Sequence, residues 1–328
     1  MIVNMVSDST SVHTVDGVPA ALNARMEPHG PGSFYRLFKR AGVRRDVPWL
    51  FLVPAAICFA VFVIIPAVAS IVLSLTDYTG LGQATFVGLR NYATIFSDPQ
   101  AGAAIRNTLA LALFVVVLQN AIGLALALVL EKNFFGRDIL RIIFFLPAIV
   151  SPVIIAFLWQ YIYSPRGALN QALEAAGLDK FTQVWLGDPK LALWAIGVAI
   201  VWQVSGYAMV IYIAGLQNIP PELVEAAEMD GTTAWQRFRF IKFPLLAPAL
   251  TINFVLSLIS GLRYFDQILA MTGGGPGYAT ETIATMIYKQ GFVFGKMAYS
   301  AAIAVILTLV VAAFSVVQVM LLRRRERF

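Results

Sequence analysis

The sequence has 328 residues, of which 59% are hydrophobic and 13% are charged, and its mean hydropathy is +0.76. In soluble domains about a quarter of the residues are charged, so this composition excludes a soluble globular protein and predicts one membrane domain. The net charge of +6 does not indicate nucleic-acid binding, because the 24 Lys and Arg residues cluster at the edges of apolar segments.

Residues 1 to about 46 contain Ser, Pro, Gly and scattered charges without apolar periodicity, which predicts a flexible tail. We find no secretory signal in this stretch. The tail ends in a basic stretch, residues 38–45, directly before the first apolar run. That position is typical of a cytoplasmic anchor.

Six apolar segments are each long enough to cross a bilayer of about 30 Å at a rise of about 1.5 Å per residue. Pro54 and Pro66 in the first are tolerable if neighbouring groups satisfy the freed backbone atoms. We therefore predict an all-α protein with a six-helix membrane domain at 47–322 and a basic C-terminus at 323–328. The predicted spans are 48–75, 106–130, 138–162, 190–215, 246–270 and 298–322.

The distribution of basic residues predicts the topology. Sixteen Lys and Arg residues lie in the tail, the 131–141 turn, the 216–245 loop and the C-terminus, against seven in the other loops. This bias places both termini in the cytoplasm, with an even number of spans. The outer loops contain Gly, Pro and aromatic residues, and we expect short interfacial helices in them.

Side chains that could form disulfides, metal sites or nucleotide sites are scarce. Cys58 is the only cysteine and lies inside an apolar run, so an intrachain disulfide is impossible. His13 and His29 lie in the tail without ligand spacing. A Gly-x-x-x-x-Gly-Lys-Ser/Thr phosphate loop is absent from the sequence. We therefore predict no metal site, no bound cofactor and no enzymatic activity for this chain.

The loop between the fourth and fifth predicted spans has a pattern of its own. Strong helix formers follow Pro221 and end at Gly231, which predicts a helix of about two to three turns. A second short helix is predicted after it, before Pro244 and Pro248 begin the next span. Its apolar positions at helical spacing are Trp235, Phe238, Ile241 and Leu245.

This loop could be an amphipathic connector lying on the membrane surface. Its acidic residues favour a protein partner instead, because carboxylates are poorly placed against an anionic inner leaflet. Ala226 and Ala227 are small enough for such a partner to approach closely. The four acidic residues are Glu222, Glu225, Glu228 and Asp230.

The stretch Glu225-Ala226-Ala227-Glu228-Met229-Asp230-Gly231 resembles the EAA motif of binding-protein-dependent ABC importer permeases. Phe238, Ile241, Pro244 and Pro248 continue that resemblance. Residues 86–92 and 272–276 are similar to outer-loop segments of the sugar-importing, MalF-like subunits. The resemblance covers roughly residues 45 to 325, although this chain looks like the shorter six-span members and lacks the extra spans of MalF itself.

The resemblance implies a type I importer permease (MetI-like) fold in the bacterial inner membrane. It implies three kinds of partner: a second related permease subunit, a dimer of ATP-binding subunits that holds the ATP and Mg, and an extracytoplasmic sugar-binding protein. In that family the EAA loop is a coupling helix that docks on the ATP-binding subunit. The positions carried over as this helix and its turn are Glu225, Ala226, Ala227, Asp230 and Gly231.

Polar residues inside the spans are the candidates for substrate contact, because polar groups in lipid are costly unless they face a cavity or a partner. Two sets stand out, in the fourth and fifth spans, and aromatic faces with amides and hydroxyls suit a carbohydrate. Helix packing is the alternative, since Gly, Ser and Asn also join membrane helices. The candidates are Trp202, Gln203, Tyr207, Asn253, Ser257, Gly261 and Tyr264, with Gly206 beside the first set and Gln119 and Asn120 as weaker ones.

Together these features predict a permease subunit of an ATP-driven importer of a di- or oligosaccharide, although phosphorylated-glycerol importers share the pattern. A secondary carrier is the alternative, and it would need an internal repeat and membrane-embedded ion ligands. Arg263 and Asp266, three residues apart, are expected to pair on one helix face instead. A membrane enzyme would need a convergent His, Asp or Cys constellation, which the sequence lacks.

Overall fold

The structure, a computed structural model, describes residues 49–323. The predicted tail at 1–46, and all of the basic C-terminus except Arg323, lie outside the described residues. The described residues form helices, turns and one isolated β-bridge between Thr76 and Phe86, with no strand among them. The predicted all-α class is confirmed.

The chain divides into two compact units at Ile64. In the first unit the described residues form helix α1, Trp49–Phe59, and a π-helical turn, Ala60–Ile64. Pro54 lies inside α1. The second unit begins with helix α2, Ile65–Ser74.

Long and bent helices make up most of the second unit. Helix α4, Pro99–Leu130, begins seven residues before the predicted second span, because the carboxylate of Asp98 caps its first turn. The other two long helices are α8, Ala192–Gln217, and α15, Met297–Arg323. With the segment Leu52–Ser74, four described helices are long and apolar enough to cross a membrane.

The predicted third span is not one continuous helix. It consists of α5, Arg137–Ile149, and α6, Pro152–Ile162, which are bent by 99°. Pro152 disfavours the helical conformation at the residue before it, and Ser151 is extended with a ψ of 135°. The break therefore comes from the Ser151–Pro152 step.

The predicted fifth span also differs. Helix α12, Ala247–Gly261, ends nine residues before the predicted boundary and is followed by α13, Asp266–Thr272. Arg263 therefore lies outside the helix, and the described ion pairs do not include a contact between Arg263 and Asp266. The expected pairing on one helix face was wrong because the two residues do not share a helix.

The segment before α12 is the other bent part of the chain. It contains α10, Ala234–Arg237, a π-helical turn, Phe238–Lys242, and α11, Phe243–Leu245. The helical segment Ala234–Leu245 and helix α12 meet at a bend of 67°. If each bent pair is one span, the described residues contain six spans, as predicted.

Short helices occupy the connections, in the predicted outer loops and in the loop between the fourth and fifth spans. They are α3, Arg90–Ser97, α7, Ala168–Ala175, α9, Pro221–Met229, and α14, Ile283–Tyr288, with a 3-10 turn at Asp179–Phe181 and a π-helical turn at Lys289–Val293.

Helices α4 and α8 form the most extensive helix–helix contact among the described residues. Glycines allow this close packing. A Cβ at Gly123 would lie 2.6 Å from the Cβ of Ala208. A Cβ at Gly206 would lie 2.0 Å from the carbonyl oxygen of Phe144, so α8 also touches the backbone of α5.

Candidate functional site

Residues 218–246, between α8 and α12, begin with two short helices joined by a tight turn, and the π-helical turn and α11 follow them. The first, α9, has Pro221 at its start and Glu222 in its first turn, where the helix dipole favours an acidic side chain. It ends at Met229 after nine residues. The predicted helix of two to three turns is confirmed, and we call the whole region the 218–246 segment.

The turn after α9 depends on Gly231. Its φ of +72° lies in the left-handed region, which side chains other than glycine and asparagine rarely adopt. The Gly231 amide donates to the carbonyl of Glu228 at 3.0 Å, and the Thr232 amide donates to that of Ala227 at 3.2 Å. Gly231 therefore ends the helix, as the sequence predicts.

The second helix, α10, is fixed by side chains at both ends. Thr233 and Gln236 form a reciprocal capping box, with hydrogen bonds of 3.3 and 2.7 Å. Arg237 reaches back towards α9, where it pairs with Glu228 at 3.2 Å and donates to the carbonyl of Thr232 at 2.5 Å. These contacts hold α9 and α10 together as one substructure.

The residues predicted to couple to a partner differ in exposure. Glu225, Ala226, Asp230 and Gly231 are exposed, whereas Ala227 is 7% exposed and packs inside the chain. Of the two alanines expected to admit a partner, only Ala226 is therefore accessible.

Large apolar side chains lie beside these exposed acids. Met229 is 89% exposed, Trp235 68% and Phe240 73%. Apolar patches rimmed by polar residues mark interaction sites on proteins. The 218–246 segment thus has both acidic and large apolar side chains on its exposed surface.

The structure separates the candidate residues of the fourth span. Trp202 and Tyr207 are exposed, whereas Gln203 is buried. Gln203 donates to the carbonyl of Val150 at 3.0 Å and accepts from Gln267 at 2.9 Å. Trp202 and Tyr207 are therefore available for external contacts, while the amide of Gln203 is engaged within the chain.

The candidates of the fifth span lie mainly in the interior. Asn253, Ser257 and Gly261 are buried, and Tyr264 is half-buried. Asn253 donates to the carbonyl of Ala208 at 3.4 Å. The backbone of Gly261 lies against Ala112, since a Cβ there would be 3.1 Å from the Cβ of Ala112. These positions join α12 to α4 and α8.

Asn120 is the centre of the buried polar contacts. Its amide nitrogen donates to the hydroxyl of Ser257 at 3.1 Å, and its oxygen accepts from the hydroxyl of Tyr212. We call Asn120, Tyr212 and Ser257 the Asn120 cluster. Its geometry is that of helix packing, the alternative that the sequence had left open for this region.

Two buried or half-buried ion pairs were not predicted. Glu131 pairs with Lys242 at 2.7 Å, and Glu281, which is fully buried, pairs with Lys289 at 2.5 Å. In the sequence the two lysines served only as markers of topology. Glu131 did carry a signal, because an acid directly after an apolar helix opposes the helix dipole.

Comparison with known proteins finds a matching family model and similar transport permeases. Residues 119–327 match the family model described as "Binding-protein-dependent transport system inner membrane component". The chain is 36% identical over 278 residues to the probable starch degradation products transport system permease protein AmyD of Thermoanaerobacterium thermosulfurigenes, covering 85% of this chain and 94% of that protein. It is 34% identical over 271 residues to the trehalose/maltose transport system permease protein MalF of Thermococcus litoralis, covering 82% and 91%.

The fold is similar to that of a chain in the crystal structure of a bacterial ABC transporter involved in the import of the acidic polysaccharide alginate. The TM-score is 0.76 and the sequence identity 26%, covering 88% of this chain and 99% of that chain.

Proposed function

The chain belongs to the family of binding-protein-dependent transport system inner membrane components, and we propose that it is one of two permease subunits of an ATP-driven importer of a di- or oligosaccharide. The sugar class rests on the relatives, whose names describe starch-product and trehalose/maltose transport. The energy source would be ATP hydrolysis, with Mg, in a dimeric partner subunit.

The exposed face of α9 carries the proposal. Glu225, Ala226, Asp230 and Gly231 are open to a partner, and the rigid α9–α10 unit can pass a displacement into the bundle. We assign the contact with the ATPase subunit to this face. In this topology the 218–246 segment and both termini are cytoplasmic, and an extracytoplasmic binding protein delivers the sugar from the opposite side.

Substrate contact is assigned first to Trp202 and Tyr207, because exposed aromatic faces can stack on sugar rings without breaking contacts inside the chain. Tyr264 is half-buried and can contribute its exposed part. The buried candidates would not contact the sugar and would instead position the helices that carry this surface. They are Gln203, Asn253, Ser257 and Gly261.

The test of the proposal is co-purification. The tagged chain is expressed with the products of its neighbouring genes and purified in mild detergent, as wild type, Glu225→Lys and Gly231→Asp. We expect wild type to bring down a second permease and an ATPase subunit, and both variants to lose the ATPase alone. Glu174→Lys, at another exposed acid, on α7, is the control and should retain it.

A wild-type chain that purifies alone and transports sugar into proteoliposomes without ATP would overturn the proposal in favour of a secondary carrier. For the substrate surface, Trp202→Ala and Tyr207→Ala should each reduce sugar uptake by about tenfold, the loss of about 1.4 kcal/mol. Tyr207→Ala should leave the melting temperature unchanged, whereas Trp202→Ala should lower it slightly because the indole also packs against Trp159. Unchanged uptake in both variants would remove these residues from the substrate path.

A further inference from the structure

A negatively charged side chain lies at the C-terminal end of α4, where the helix dipole disfavours it. Glu131 directly follows the last residue of this 32-residue helix, Leu130, as its C-cap. The C-terminal end of a helix has a partial negative charge, which repels a carboxylate and attracts cations. The position of Glu131 is therefore unfavourable for α4 alone and needs a compensating contact.

Lys242 supplies that contact from the 218–246 segment. Its ammonium donates to both carboxylate oxygens of Glu131, at 2.9 and 2.7 Å, although the residues are 111 positions apart. The two side chains are 21% and 26% exposed, so solvent screens the pair less than it screens a surface ion pair. Arg141 of α5 also donates to the carbonyl of Leu130 at 2.7 Å.

Lys242 is also connected to α9. It ends the π-helical turn that directly follows α10, and α10 is held to α9 by Arg237. π-helical turns occur often at functional sites. A groove of about 760 Å³ lies between α10 and the end of α4, and Glu131 and Lys242 both line it. The pair thus connects the two walls of this groove.

We infer that the Glu131–Lys242 ion pair transmits a displacement of α9 and α10 to α4. The inference rests on the proposed function, since it assigns a path to the movement that a docked ATPase would impose on the 218–246 segment. α8 and α12 are joined to the 218–246 segment by the chain itself, and α4 packs against both of them. The ion pair thus gives the movement a route into α4, which the chain does not link directly to the segment. Glu131 and Lys242 are positioning residues in this mechanism.

The experiment uses the complete transporter in proteoliposomes, with its second permease, ATPase and binding protein. The variants are Glu131→Gln, Lys242→Gln and the exchange of both charges, Glu131→Lys with Lys242→Glu. Asp138→Asn is the matched control, because Asp138, whose side chain is 75% exposed, pairs with Arg141 close to the same helix end. The readout is the amount of sugar transported per ATP hydrolysed.

We expect each single variant to retain the ATPase subunit and to lower the transport-to-hydrolysis ratio by about tenfold, which is within the usual range of coupling between sites. The exchange should restore most of the ratio, and the control should leave it unchanged. A purely structural pair would alter melting temperature without altering this ratio.

Three results would overturn the inference: single variants with the wild-type ratio, single variants that lose the ATPase, or an exchange variant with no restored ratio. If the single variants do not fold, the exchange variant alone decides by the same ratio. In all of these cases a wild-type complex that retains its ATPase leaves the proposed function intact. Loss of the ATPase from wild type would instead contradict the proposed function itself.

Discussion

The 218–246 segment and the Asn120 cluster both contain polar residues in an otherwise apolar chain, but they use them in opposite ways. In the segment the acids Glu225 and Asp230 are exposed, with no ion-pair partner among the described residues. In the cluster, polar atoms of Asn120, Tyr212 and Ser257 contact one another. Exposed polar groups on a rigid turn are free to recognise a partner, whereas buried ones specify how helices pack.

The largest expected effect is in the interior. Gly206→Ala would place a Cβ 2.0 Å from the Phe144 carbonyl oxygen, a backbone atom that cannot move without shifting α5. We expect a loss of about 3 kcal/mol of stability and a poor yield of monodisperse protein in detergent. Gly102→Ala is the control, since a Cβ there meets nothing within 4 Å. Equal melting temperatures for the two variants would show that α5 and α8 are not in backbone contact.

A smaller effect is expected within the Asn120 cluster itself. Asn120→Leu removes the partner of Tyr212 and Ser257 and should lower the stability by about 1–2 kcal/mol. Tyr212→Phe removes only one hydrogen bond and should lower it by about half as much. Thermal melting in detergent measures both changes. Sugar uptake per folded molecule should stay unchanged, and a selective loss of uptake would instead make the cluster part of the substrate site.

The smallest expected effect on global stability is in the 218–246 segment. Gly231→Ala forces a side chain into the left-handed region, which destabilises the turn by about 1 kcal/mol, although its Cβ would meet nothing within 4 Å. The melting temperature should barely change, while hydrogen exchange in residues 218–246 accelerates. Gly231→Asn, which tolerates this conformation, should exchange more slowly than Gly231→Ala. Equal exchange in wild type and Gly231→Ala would contradict a conformational role for the glycine.

The sequence predicted the 218–246 segment well because its determinants are local. Pro221 starts α9 and Gly231 ends it, and both act over one or two turns of chain. Hydropathy likewise found the apolar segments. It did not find the break between α5 and α6, because the Ser151–Pro152 step changes the backbone conformation without changing the hydrophobicity.

Contacts between distant residues were beyond the reach of a single sequence. Nothing local to Glu131 identifies Lys242 as its partner, and nothing local to Gln203 identifies Val150. The division of the fourth-span candidates was missed for the same reason. Trp202 and Gln203 are adjacent in the chain, but which of them faces another helix depends on the position of α6 and α13.

The break between α5 and α6 has a consequence for how this fold can change during evolution. A carbonyl released from its helix needs a new donor, and the side-chain amide of Gln203 supplies one to Val150. The hydrogen bond of Gln203 therefore depends on the bend at Pro152. A homologue with a straight helix across α5 and α6 would have no free carbonyl at this point, so its residue 203 could be apolar. A homologue that keeps the bend would need a hydrogen-bond donor at residue 203.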